Sequence, residues 1–325
     1  MLETFSLHVR QWFACLTISF ITVMLIACNQ PDNNNTHNFN DKINDDQVLK
    51  LGKHTDVKNT YQFGFDLRSS PQEDARQYIP FLEYLELETG YHFELRFTSE
   101  SSSIIEELGN NRVQFAAIGA TSFIEAQSKY QVLPMVRGKN LMGKAEYQSI
   151  LVIRPDSKIR SLTDIKRKRL AFGSKTSTQG HLIPRIVLAE KGIELGDFRS
   201  VIYTDSHRNC AEAVISDLAD ICGMQDTMAK DMASQGLLKI LHTSHYYPSS
   251  GIAANKNVPI EVLNKVKEAL LAFDPMGKHR KNLYNWEKTE MPLGFSEAVE
   301  DDYLELRKWS IKLSFMDSPE HQLQK

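Results

Sequence analysis

One stretch of the chain has the residue types and spacing to hold a small anion: Phe172-Gly173-Ser174-Lys175-Thr176-Ser177-Thr178-Gln179-Gly180-His181-Leu182-Ile183-Pro184. A strand reads up to Phe172, a turn of small residues follows, and a helix opens near Ser177 and runs to just before Gly192. The first-turn amides of a helix have no partners inside it, and the peptide dipoles favour negative charge there. The hydroxyls of Ser177 and Thr178 add donors, and Gly180 permits close backbone approach. Together they suit an oxyanion of the phosphate type, although an ordinary Ser/Thr helix cap would use the same residues. The Gly-Lys-Ser/Thr of a nucleotide P-loop is absent, which argues against ATP chemistry.

Other chemistry-bearing residues are weaker signals. Arg68, in the loop after the first strand, is the best cationic candidate, ahead of Arg137 and Lys144. His207 and Cys210 lie three apart on one predicted helix, and His242 and His245 form a second pair, but neither set has further ligands at metal spacing. No cofactor or metal is expected. No G-x-S-x-G, H-E-x-x-H or dinucleotide fingerprint occurs, so an enzyme is the minor reading. With 38 basic and 41 acidic side chains and a net charge of −3, the chain lacks the basic excess of a nucleic-acid binder.

These residues must be positioned by the elements around them. Residues 12–27 form an uncharged apolar run, short for a membrane span and typical of a signal peptide. It ends Leu25-Ile26-Ala27-Cys28, which resembles the lipobox of bacterial lipoproteins and marks Cys28 for lipidation after cleavage; a plain signal peptide or an anchor helix is the alternative. The Asn-rich stretch after it cannot bury enough apolar surface to order itself and reads as a tether. The expected division is therefore a signal peptide over 1–27, a tether over 28–58, a first lobe over 59–150, a second over 151–248, and a return to the first lobe with C-terminal helices over 249–325.

Within the body, strands and helices alternate, the pattern of a mainly parallel sheet covered on both faces. Tyr61–Phe65 reads as a strand, and 74–89 as a helix with Ile79, Leu82 and Leu85 on its apolar face and Gly90 as its stop. Ser101 is expected to cap the next helix. A second cycle starts after Pro155, and two strands lead the chain between the units. The product is two α/β lobes with a cleft at the carboxyl ends of the strands, where ligands bind in such sheets. Cys210 and Cys222 read as small buried hydrophobes, with a disulfide as the alternative in an oxidising compartment.

Several of these segments, in order, resemble the motifs of the phosphate/phosphite/phosphonate-binding proteins of ABC transporters, a branch of the type 2 periplasmic binding proteins. Phe172–Pro184 resembles F-G-x-x-x-S-T-S-G-x-x-x-P, and Tyr78–Leu85 resembles Y-x-P-L-x-x-Y-L. Gly119–Phe123 resembles G-P-x-S-Y, Tyr147-Gln148-Ser149 the entry to the first crossover, Ser161–Lys166 S-L-x-D-L-K, and Thr204-Asp205-Ser206-His207 the T-G-S-H turn with Asp for Gly. The resemblance spans about residues 60–275. It implies a two-lobed type 2 periplasmic-binding-protein fold with two hinge-crossing strands, and a monomeric, lipid-anchored, non-enzymatic protein of the cell envelope, periplasmic or on the outer surface. Such a protein would capture a phosphonate-like anion and deliver it to an ABC permease; a sensor lipoprotein without transport, or a repurposed cleft enzyme, would share the domain.

Carried over position by position, Tyr78, Ser177, Thr178 and His207 would hold the anion. Three departures bear on its identity. Gln179 replaces the last Ser of the triplet and is long enough to reach further into the cleft. Phe123 lacks the hydroxyl of the family's Tyr. Gln225 stands where the family places an acid, with Asp226 beside it. A carboxylate facing a phosphate selects a protonated ligand oxygen, whereas Gln can donate; the expectation is a relaxed ligand preference unless Asp226 turns inward.

Overall fold

In a computed structural model, residues 59–66, 70–98 and 102–316 are described, all within one compact unit. The proposed lipid site Cys28, the tether and Arg68 lie outside the described residues. Among the described residues no helix is long and apolar enough to cross a membrane.

The described residues form two mixed sheets and one two-stranded ribbon. Strand β1 (Thr60–Phe65) leads into helix α1 (Pro71–Thr89), then β2 (His92–Leu95), α2 (Ile104–Gly109), β3 (Phe115–Ile118), α3 (Ala120–Tyr130) and β4 (Leu133–Gly138). Short β5 (Glu146–Tyr147) carries the chain across to β6 (Ser149–Ile153), β7 (Arg169–Phe172), α4 (Ile183–Glu190), β8 (Ser200–Tyr203), α5 (His207–Ile215), β9 (Ile221–Gln225), α6 (Asp226–Ser234) and β10 (Lys239–Thr243). Short β11 (Tyr247–Pro248) pairs antiparallel with β5 and returns the chain to β12 (Gly251–Ala254). Helix α7 (Ile260–Ala272), β13 (Phe295–Glu297) and α8 (Leu304–Lys312) complete it. The first sheet has the order β13-β4-β12-β3-β1-β2 and the second β10-β6-β9-β7-β8.

The sheets are less parallel than the alternation predicts. β1 pairs in parallel with β2 and β3, and β7 with β8 and β9, but β12 and β6 are inserted antiparallel beside β3 and β9. The reason is topological. A strand arriving from the other lobe enters at the carboxyl edge of its new sheet and must run against the resident strands. The same plan, a parallel trio with one inserted crossing strand, therefore occurs twice although no repeat is visible in the sequence.

Local chemistry explains α1 well. Ser70 caps it by accepting from the Glu73 amide, Pro71 occupies the first turn, and Gly90 closes it at φ 68° with its amide on the Glu86 carbonyl. Its buried stripe is Tyr78, Phe81, Leu82 and Leu85, while Ile79 is 48% exposed, so the expected apolar face is rotated by one position. The cap of α2 is Ser103 rather than Ser101. An aromatic core of Phe63, Phe65, Tyr78, Phe81, Phe273 and Trp286 fills the first lobe. A second cluster extends from α3 through Tyr303 and Leu306 to Phe172 and Ile183 of the other lobe.

The expectation of free buried thiols is overturned. Cys210 on α5 and Cys222 on β9 form a disulfide, with S–S 2.08 Å and Cα–Cα 5.8 Å. The helix packs directly on the strand, and this brings two cysteines twelve positions apart into bonding reach. Cys210 is thus unavailable as a thiol partner for His207.

Candidate anion-binding site between the lobes

The segment after β7 does not enter a regular α-helix. Residues Thr178–Leu182 form a π-helical turn, with the Leu182 amide on the Ser177 carbonyl and the Ile183 amide on that of Thr178. Pro184 supplies the cause. It has no N–H to give to Gly180, so the first turn widens and the Gly180 carbonyl accepts from Gly173 instead, at 3.0 Å. Ser177 Oγ accepts from the Gly180 amide at 2.9 Å. A Cβ on Gly180 would stand 2.8 Å from Ser177 Oγ and 3.0 Å from His207 Cε1, so only glycine allows the cap and the imidazole to close on the backbone.

The N-terminus of α3 in the first lobe meets this turn. Gly119 caps α3 without a side chain, and the Thr121 amide donates across the cleft to Thr178 Oγ1 at 2.8 Å. Two helix starts from different lobes thus bound one small cavity of about 30 Å³. Ser174, Ser177, Thr178, Gln179 and His207 line it from the second lobe. Gly119, Ser250, Asp66 and Glu290 line it from the first, and Tyr147 from the crossing strand β5. Among the described residues, no lysine or arginine lines it.

Each polar group has a defined role. His207 is 6% exposed, and its Nδ1 accepts from the Gln225 amide at 3.3 Å, which leaves Nε2 as the protonated nitrogen of the neutral ring. Asp205, where the family has Gly, takes φ 64°; the turn needs the left-handed region, and aspartate is among the few other residues that tolerate it. Tyr147 is a fully buried phenol whose pKa is raised by burial, with the Glu290 carboxylate acting in the same direction, so it remains a neutral donor. Gln179 is 2% exposed and donates Nε2 to the Gln148 carbonyl at 2.7 Å and to Asp226 Oδ1 at 3.1 Å. Those two acceptors fix the orientation of the amide, and its Oε1 is left buried without a partner. Ser122 Oγ and Thr121 Oγ1, on the first turn of α3, are also buried and unpartnered.

Of the residues singled out from the sequence, Ser177, Thr178, Gln179 and His207 meet at the cavity. Tyr78 does not line it; its ring stacks on Phe65 at 5.0 Å in the aromatic core. Phe123 packs on Tyr303 at 4.6 Å. Gln225 ends β9 and contributes its amide to His207 rather than its side chain to the cavity. Asp226 is engaged by Gln179, Thr227 and Lys230 and lines an adjoining chamber. Arg137 is paired with Asp302 at 3.0 Å and Lys144 with Glu146 at 3.5 Å, both away from the cavity. Asp66 follows β1 directly, so the rule that ligands lie just past strand ends points to it; Ser250 and Glu290 have no sequence signal. Among the described residues, no group of three or more His, Cys, Asp or Glu is placed to hold a metal.

Two lobes with a duplicated strand plan, joined by paired crossing strands, and a cradle of neutral donors at their junction define a type 2 periplasmic binding protein. Solved structures agree on the fold. A binding protein component of an ABC phosphonate transporter from Pseudomonas aeruginosa superposes with TM-score 0.70 at 21% identity, covering 79% of this chain and 87% of that one. PhnD1 from Prochlorococcus marinus in complex with methylphosphonate does so with TM-score 0.71 at 16% identity, covering 79% and 99%. The family model for ABC transporter, phosphonate, periplasmic substrate-binding protein matches residues 63–303, and the chain belongs to that family. It is also 28% identical over 221 residues to the phosphonates-binding periplasmic protein of Escherichia coli, covering 65% of each chain, a little under two thirds of that relative's length.

Proposed function

We propose that this chain is an extracytoplasmic solute-binding lipoprotein, tethered through Cys28, which captures a phosphonate or related phosphorus oxyanion and delivers it to an ABC permease. The observation that carries the reading is the cradle itself: two helix starts from opposite lobes, with Ser177, Thr178, Tyr147 and His207 around one cavity. No covalent step is needed. The ligand is held by neutral donors contributed by both lobes, and binding favours the closed arrangement.

The carboxylates that meet the ligand are Asp66 and Glu290, not residue 225. A carboxylate beside an oxyanion is satisfied only by a ligand oxygen that carries a proton. The preference is therefore for monoprotonated phosphorus oxyanions, with sulfate rejected, rather than the relaxed preference suggested by Gln225.

The test is thermal unfolding of residues 58–325 against methylphosphonate, phosphite, phosphate and sulfate across pH. A ligand that binds the folded state alone raises the midpoint as its concentration exceeds its Kd. A shift with phosphorus oxyanions that weakens as pH rises, is absent with sulfate, and disappears in Ser177→Ala/Thr178→Ala is the expected result. Unchanged affinity in the double variant would place the anion elsewhere.

A further inference from the structure

The edge of the second lobe that faces away from the cradle carries a different chemistry. Ser174, just past the end of β7, lines the cradle, so Arg169 at the start of β7 marks the opposite edge. The order β10-β6-β9-β7-β8, with its mixture of directions, brings the starts of β8, β9 and β10 and the finish of β6 to the same edge. At ordinary strand spacing the five ends lie across about 19 Å. Backbone pairing draws the flanking loops together there: the Arg199 amide donates to the Lys168 carbonyl at 2.9 Å, and the Arg167 amide to that of Asp197 at 2.7 Å.

The acids of this edge are already engaged. Asp217 and Asp220 hold Arg169, and Asp217 and Asp156 hold Arg154. Asp197 pairs with Lys166 at 3.2 Å, and Glu194 caps the turn before β8. Asp164 Oδ2 accepts from the Arg160 and Ser161 amides at 2.9 and 3.0 Å. Lys158, Arg160, Arg167, Lys168, Arg199 and Lys239 have no ion pair among the described residues. A chain of net charge −3 thus concentrates unpaired positive charge on one edge. Leu218 and Leu237, which precede β9 and β10 at that edge, are 67% and 44% exposed.

We propose that this edge is a docking surface for the anionic headgroups of a lipid bilayer. Several cations with exposed leucines beside them suit a layer of phosphate groups over acyl chains. The choice of a bilayer as the partner rests on the proposed anchor at Cys28. Cys28 lies 32 positions before Thr60. Fully extended, that length of chain spans at most ~110 Å, against a radius of gyration of about 18 Å for a body of this size. Either end of the body is therefore within reach of the membrane. Asp66, just past β1, lines the cradle, so Thr60 enters the first lobe at its edge away from the cradle. Attachment there and docking of the second lobe hold the body at both ends, which keeps the cleft at one orientation to the bilayer.

The test is co-sedimentation of residues 58–325, which lack Cys28, with two kinds of vesicle: phosphatidylcholine alone, and an equal mixture of phosphatidylcholine and phosphatidylglycerol. The protein is expected to sediment with the mixed vesicles alone and to be released at about 0.5 M salt. Lys158→Gln/Arg160→Gln/Arg167→Gln/Arg199→Gln changes exposed positions outside the cradle. It should weaken vesicle binding by about five-fold for each charge removed, with the unfolding midpoint and its shift by methylphosphonate unchanged. Leu218→Ser/Leu237→Ser should weaken vesicle binding further than salt screening alone accounts for. Absence of the unaltered protein from the mixed vesicles, equal sedimentation with both kinds, or full retention by the four-site variant overturns the surface. The anchor is read separately, from the membrane fraction of cells that express the full chain or Cys28→Ser. Equal partitioning of those two overturns the anchor, and vesicle binding by residues 58–325 then still supports the surface.

Discussion

At Gly180, Pro184 and His207 single atoms decide the shape of the cradle. The missing N–H of Pro184 widens the turn, the missing Cβ of Gly180 admits the imidazole, and His207 takes the Gln225 amide. Its neighbour His181 has a different task. It is 5% exposed, with Nδ1 on the Lys175 carbonyl at 2.8 Å and Nε2 3.3 Å from the Tyr203 hydroxyl. Burial holds its pKa down at about 4, against 6.5 in an unfolded chain. The neutral ring therefore contributes stability that is fully present above pH ~6.5 and lost as pH falls through about 4, at most ~3 kcal/mol. The midpoint of the unaltered protein should fall relative to that of His181→Phe as pH is lowered across this window. Parallel curves for the two proteins would remove His181 from the account.

The elements that carry these residues are held by unequal means. Helix α1 is specified locally, by Ser70, Pro71 and Gly90 at its ends and an aromatic stripe on one side. The N-terminus of α5 has its Ser206 cap, but its seat against β9 is fixed by the Cys210–Cys222 disulfide one turn beyond His207. A bridge closing a loop of this length restrains the unfolded chain by about 3 kcal/mol. Cys210→Ser/Cys222→Ser should lower the unfolding midpoint of the ligand-free protein accordingly, and reduction of the unaltered protein should reproduce the loss. If the double serine variant melts with the oxidised protein, the bridge adds nothing to stability.

Across the whole molecule, the lobes communicate through more than their crossing strands. The Thr121–Thr178 hydrogen bond spans the cleft. The C-terminal segment forms a second link: Tyr303 packs on Phe123 and Arg307 donates to Gln127 of α3, while Phe315 packs on His181 at 4.4 Å. A neutral hydrogen bond is worth about 1 kcal/mol net, or roughly five-fold in an open–closed equilibrium. Thr178→Val keeps the shape of the side chain and removes that bond. Its ligand-free scattering profile should show a larger radius of gyration than that of the unaltered protein. Identical profiles would mean that the bond has no part in closure.

How much of this was legible in the residues depends on the range of the forces involved. Sequence alone determined the alternating α/β elements, the two-lobed class, and the Ser177–Thr178–Gln179–Gly180 turn, because periodicity, caps and turn residues act over a few positions, whereas His207 was pointed to only by the family resemblance. Where two local solutions were close, it erred: the cap of α2 moved from Ser101 to Ser103, and the buried stripe of α1 lies beside Ile79. Only the tertiary structure decided that Tyr78 belongs to an aromatic core, that Cys210 meets Cys222, and that the crossing strands run antiparallel. It also brought Asp66, Ser250 and Glu290 to one cavity from segments up to 224 positions apart. Those groups converge because two sheets fold back on one hinge, a long-range packing outcome that no local pattern encodes.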